Sequence, residues 1–281
     1  MPDAGPTAVL PRRPLTVGEL LDAAVLLLRD HARVLVPLAL LLALAEQALL
    51  HPLRLLADAH PPQWWPADFG DALPWYWLLL ATGAGTEAAI IALLGGPAAR
   101  GAGAALLGRR PGPGELLRGS RPGAAVLAAV AIGPVVALAA LTGPGWFLAY
   151  GLLGLVVPVL VLDGVPGHRA PWRAMRLAGR VSARAAAVRL LGYLGWWLIR
   201  LGIGLGVYHG LGMLGLFDVS AWALPVTVAA FAAVNALAYP ALACLDAVLH
   251  LETRIRTEGL DIRLSRARPG VPEPVLLAAQ R

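Results

Sequence analysis

The sequence predicts an all-α integral membrane protein, a six-helix bundle of three transmembrane hairpins, each preceded by an interfacial amphipathic helix. Three observations predict it. Apolar residues make up 58% of the 281-residue chain and charged residues only 14%, against about 45–50% and about 25% in a soluble domain. Six long apolar stretches follow one another, each near the ~20 residues that cross a ~30 Å hydrocarbon core. The arginines gather on alternate connections, which sets an orientation.

Residues 1–13 are rich in Pro, Gly and Ala and are expected to form a disordered tail; residues 14–264 make up the membrane domain and 265–281 a second disordered tail. From Thr16 to Arg33 the pattern is amphipathic, with Leu20, Leu21, Ala24, Leu27 and Leu28 at helical spacing. Thr16 followed by Glu19 has the spacing of a capping box. The spans then fall at about 34–50, 75–94, 124–141, 146–162, 190–214 and 222–249. Thr142-Gly143-Pro144-Gly145 between the third and fourth is a tight hairpin turn. Arg33, an apolar run and Ala43-Leu44-Ala45 imitate a cleaved signal peptide. The long preceding tail, and polar Glu46 and Gln47 followed by more apolar residues, favour an uncleaved first span.

There is no lysine, and all 23 basic residues are arginine. Of these, 21 lie on the side of the two termini, one (Arg54) on the other side, and Arg200 within a span. That bias places both termini in the cytoplasm. Trp64, Trp65, Trp75, Trp77, Trp146 and Trp222 fall at the outer span ends, as an aromatic belt does. The pI of 10.4 would suggest nucleic acid in a soluble protein; here it follows from the positive-inside bias, and no nucleic-acid partner is expected. Cys244 is the only cysteine, so an intrachain disulfide is excluded.

An order of elements repeats. Gly18-Glu19-Leu20-Leu21 precedes the first span, Gly114-Glu115-Leu116-Leu117 the third, and an amphipathic segment from Pro171 to Ala186 the fifth. In that last segment Arg169, Arg173, Arg176, Arg180 and Arg184 share one face, with Ala174, Met175, Ala178, Val181 and Ala185 opposite. Such a basic stripe is suited to lie against anionic lipid head groups of an inner leaflet. It serves either to enforce topology or to dock a specific lipid or protein.

Three stretches also carry a resemblance. They are Arg13-Pro14-Leu15-Thr16 with Gly18-Glu19-Leu20-Leu21-Asp22, Arg173-Ala174-Met175-Arg176-Leu177, and Glu252-Thr253-Arg254-Ile255-Arg256-Thr257-Glu258-Gly259-Leu260-Asp261. Together they resemble a bacterial, largely actinobacterial, multi-span family labelled "glycerophosphoryl diester phosphodiesterase membrane domain". Ala174, Met175 and Glu252 depart from that pattern. The resemblance implies a bacterial plasma-membrane protein and not the phosphodiesterase activity, which belongs to a separate soluble barrel in fused proteins.

No Gly-x-Ser-x-Gly elbow, His-Glu-x-x-His helix, phosphate-binding loop or Cys-x-x-Cys pair occurs, so neither an enzyme nor a cofactor is expected. The intramembrane charges carry the chemistry that remains, because an arginine at mid-bilayer costs about 2.5–3.5 kcal/mol on insertion scales. Arg200 lies about 15 Å into the fifth span, and Glu87 and Glu46 each about 18 Å into theirs at 1.5 Å per residue. Asn235 of the sixth span is close to the same depth. Arg200 is expected to pair with Glu87 or Glu46. The pair either fixes helix register or leaves the other carboxylate to exchange protons. Gly202, Gly206 and Gly210 form a ridge at intervals of four, for packing within the bundle or for homodimerisation. The expected partners are the lipid bilayer and its anionic head groups, with a membrane protein or a second copy of the chain. The functional expectation is a non-enzymatic scaffold or accessory subunit of an envelope process. The alternative is a transporter or lipid-handling permease using the Glu/Arg layer.

Overall fold

The computed structural model describes residues 10–60, 64–215, 219–268 and 271–279, all helix, turn or coil. Six of its helices are long and apolar enough to cross a membrane. Asp218, between the expected fifth and sixth spans, and the first nine residues of the N-terminal tail lie outside the described residues.

Helix α1 (Val17–Leu56) begins at the expected capping box. The Glu19 backbone N–H donates to Thr16 Oγ1 at 3.3 Å, and the Thr16 N–H donates back to Glu19 Oε2 at 2.8 Å. The helix then runs 40 residues without a break, about 60 Å at 1.5 Å per residue. A separate interfacial helix before the first span is therefore corrected: the amphipathic segment and the span are one rod. The apolar positions stay in phase across Arg33, and Pro37, which removes the one backbone bond to the Arg33 carbonyl, does not end the helix.

Helix α2 (Leu73–Leu106) is the centre of the bundle and packs against α1, α4 (Pro122–Leu141) and α9 (Val219–Glu258). Small residues allow the approach to α4. A Cβ on Gly85 would sit 2.7 Å from both the Gly133 carbonyl and the Ala137 Cβ. The short α3 (Pro113–Arg118) stands before α4, which starts after Arg121 in the left-handed region (φ 52°). The expected turn follows α4, with Gly143 at φ +72° and the Gly145 N–H donating to Thr142 Oγ1 at 3.2 Å.

The fourth span is built in pieces: α5 (Gly145–Leu153), the single turn α6 (Val156–Pro158) and a π-helical turn at Val159–Asp163. The expected helix from Pro171 to Ala186 is also corrected. Helix α7 (Ala170–Ala178) stops at Gly179, and Arg180 and Arg184 belong to α8 (Arg180–Met213). Helix α8 is the least covered span, with 17% of its apolar window buried against 72% for α9.

The outermost described segments at the two ends pack on one face. Leu10 and Leu15 are buried in the core. Beyond α9, α10 (Leu260–Ser265) and α11 (Glu273–Leu277) fold back onto the bundle. Against the expectation of a disordered tail from residue 265, Glu273 is buried and bonds Arg100 and, at 2.7 Å, Arg109. The tail's apolar Leu277 and acidic Glu273 find complementary partners on the bundle, which a composition-based reading of a short Pro-rich segment does not register.

Candidate functional site

The charges singled out in the sequence meet in the middle of the bundle. Arg200 Nη1 of α8 donates to Glu87 Oε1 of α2 at 2.6 Å, and the Tyr193 hydroxyl donates to Glu87 Oε2 at 2.9 Å. The second carboxylate has a separate shell. Thr86 Oγ1 donates to Glu46 Oε1 at 2.8 Å, and the Tyr239 hydroxyl donates to Glu46 Oε2 at 2.5 Å. Asn235 Nδ2 in turn donates to the Tyr239 oxygen at 2.9 Å. All four expected residues, Glu46, Glu87, Arg200 and Asn235, are buried. Helical geometry explains the grouping. Asn235 and Tyr239 are four residues apart on one face of α9, and Thr86 and Glu87 are neighbours that reach to different sides of α2.

A second buried layer lies nearer the face that carries the chain ends. Arg189 Nε donates to Asp246 Oδ1 at 2.6 Å, and the Arg189 guanidinium sits 3.7 Å from the centroid of the Tyr150 ring. The break in the fourth span makes room for it, because a Cβ on Gly154 would fall 2.0 Å from Arg189 Nε. The adjoining cavity, lined by Gly95, Val157, Arg189 and Asp246 among others, measures about 10 Å³, room for about one water molecule.

A third layer ties the terminal face together. Asp163, fully enclosed, accepts from Arg254 Nη1 at 2.7 Å, lies 2.8 Å from His250 Nε2 and bonds Arg173. Arg173 and Arg254 also share Glu258, at 2.9 and 3.0 Å. Burial opposes the charge of Arg173, but Asp163 and Glu258 outweigh it and hold the guanidinium pKa above its ordinary value. Arg254 further donates to the Leu277 and Ala278 carbonyls at 2.6 and 3.1 Å, and so pins the C-terminal segment. Beside it, Glu252 accepts from Arg184 at 3.1 Å and from Arg256 at 2.6 Å, and both arginines donate to the Leu15 carbonyl at 2.9 Å. The three stretches that carry the family resemblance therefore meet here: Leu15, Arg173, and the segment from Glu252 to Glu258.

The basic stripe is divided by these contacts. Arg173 and Arg184 turn into the protein and do not face lipid, which corrects the expectation for those two. Arg169, Arg176 and Arg180 are exposed, and Arg176 lies 5.9 Å from the Trp172 ring centroid. The glycine ridge is corrected too. A Cβ on Gly202, Gly206 or Gly210 meets nothing within 4 Å, so the ridge is not used for packing inside the bundle. Gly204 and Gly192 of α8 are close-packed instead, against Phe231 and Leu245 respectively. An apolar groove of about 460 Å³ lies between α8 and α9, lined by Trp196, Ile203, Val207, Ala230 and Val234 among others.

Sequence reasoning missed Arg189, Asp246, Asp163 and His250 as partners. Asp246 carried a signal, an acid inside an apolar span. Arg189 carried little, because it stands where a loop arginine ends and a span begins. Among the described residues no group of three or more His, Cys, Asp or Glu side chains comes together as metal ligands. Comparison with known proteins gives no matching family model, no matching curated protein and no matching solved structure.

Proposed function

We propose that the chain is a non-enzymatic, multi-pass protein of the bacterial plasma membrane that acts as a scaffold or accessory subunit of an envelope process. The observation that carries this reading is the closure of its polar layers. Glu46, Glu87, Arg189, Arg200 and Asp246 each bond another part of the same chain, and the cavity beside Arg189 and Asp246 admits about one water molecule. A permease needs a route that a solute can enter. Here the polar groups bind helix to helix, as buried ion pairs that fix register do.

The arginine bias supports cytoplasmic termini. Exposed Arg169, Arg176 and Arg180 support contact with anionic head groups on that side. The resemblance to the multi-span bacterial family supports the compartment. The sparsely covered α8, with its outward glycines, supports a membrane protein partner or a second copy on that flank.

The test is crosslinking in native membranes, followed by solubilisation in mild detergent and identification of what copurifies. A stable protein partner, or the chain itself, is expected. A copurifying small molecule or lipid without any protein partner would favour the transporter or lipid-handling permease instead.

A further inference from the structure

The Glu46 shell differs from every other buried carboxylate in the molecule's polar layers. Glu87, Asp163, Asp246 and Glu252 each bond at least one arginine. Glu46 bonds only two hydroxyls, and Arg200 is committed to Glu87. A carboxylate held out of water without a cation carries an effective penalty of several kcal/mol, which the neutral acid avoids. The hydroxyls beside it are placed to serve either form.

Thr86 Oγ1 lies 2.8 Å from Glu46 Oε1 and 3.0 Å from the Gly83 carbonyl oxygen, and its single hydrogen can be given to either. When Glu46 is ionised, the Thr86 O–H donates to Oε1. When Glu46 carries a proton on Oε1, that new O–H bond donates to the Thr86 oxygen, and the Thr86 hydrogen turns to the Gly83 carbonyl. Tyr239 donates to Oε2 in both states, held by the Asn235 amide that donates to its oxygen. Both protonation states are thus fully hydrogen-bonded with no heavy atom displaced. A register-fixing residue has no need of this.

We propose that Glu46 is a proton-exchange site whose two states are accommodated by the two-way hydroxyl of Thr86. The proton passes to and from water with no redox change and no other reactant. The charged and titratable groups that Glu46 feels are Glu87 on α2, Arg200 on α8, Tyr239 on α9 and Arg54 on its own helix. Arg54 is two turns along α1 towards the far face, 4.5 Å from the Trp64 ring centroid. Among the described residues, the buried Arg54 Nη1 and Trp64 Nε1 find no hydrogen-bond partner.

The experiment is infrared difference spectroscopy of the full chain reconstituted in lipid, acid minus alkaline buffer, repeated in deuterium oxide. Beyond the bands of the exposed carboxyls, which all variants share, a protonated-carboxyl C=O band of the enclosed Glu46 that titrates and shifts on deuteration is expected. It should vanish in Glu46→Gln and persist in the surface control Glu115→Gln. Thr86→Val, which keeps the carboxyl and removes the two-way hydroxyl, should retain the band at a shifted frequency and midpoint. A difference spectrum unchanged by Glu46→Gln, or a Thr86→Val spectrum identical to that of the parent, overturns the proposal. If Glu46→Gln does not fold, Thr86→Val decides alone.

Discussion

Arg200 and Glu87 face each other across α8 and α2 at 2.6 Å, with side chains only 10% and 8% exposed. Removing one member of such a pair leaves the other charge buried alone, at a cost of about 3–5 kcal/mol, whereas replacing both with apolar residues is often neutral. Arg200→Leu is therefore expected to lower the melting temperature sharply in detergent. Arg200→Leu combined with Glu87→Leu should recover most of the loss. If Arg200→Leu alone leaves the melting curve unchanged, the pair does not hold the bundle.

Glycines in α8 and the fourth span should sort by what they touch. Gly154→Ala places a methyl on the Arg189 guanidinium, and overpacking of this kind costs about 1–3 kcal/mol. Loss of the Arg189–Asp246 bond would add to that. Gly206→Ala enters open space and should stay within about 0.5 kcal/mol. The same Gly206→Ala protein, crosslinked in membranes, reports whether the ridge joins two copies: a fold left intact with a lost dimer band identifies an intermolecular surface.

Glu252 joins Arg184 and Arg256, which together hold the Leu15 carbonyl. Glu252→Gln removes the charge from those bonds, and hydrogen bonds to charged groups contribute about 1.5–3 kcal/mol. The N-terminal segment around Leu15 is expected to exchange its amide hydrogens faster, while the centre of α2 is unaffected. Hydrogen exchange read by mass spectrometry checks this. Equal protection of residues 10–20 in the two proteins would mean that the network does not anchor the chain start.

Span number, the capping box at Thr16 and Glu19, the turn at Gly143 and the meeting of Arg200 with a mid-span carboxylate were legible because each rests on local pattern or on the cost of charge in lipid. The choice of Glu87 over Glu46 was not legible, since both stand at the same depth and only helix rotation separates them. The outward turn of Gly202, Gly206 and Gly210 was hidden for the same reason: a ridge of glycines shows closeness but not to what. Arg173 and Arg184 looked like a lipid-facing stripe because periodicity records a face, while their partners stand outside the segment, Asp163 at the end of the fourth span and Glu252 and Glu258 at the end of the sixth. The C-terminal segment escaped because its order depends on Arg100, Arg109 and Arg254, which its own residues do not reveal.

Closure of the polar layers is the central claim, and cysteine accessibility tests it most directly. The native Cys244 is completely buried and supplies no background. Thr86→Cys places a thiol beside Glu46, Gly83→Cys places one against Leu50 a turn away, and Gly112→Cys places one in open space on a connecting loop. In reconstituted protein, a membrane-impermeant thiol reagent offered to both sides is predicted to label Gly112→Cys and to leave the other two unlabelled until the protein is denatured. Labelling of Thr86→Cys or Gly83→Cys in the folded protein would contradict the account and reveal a water-filled route.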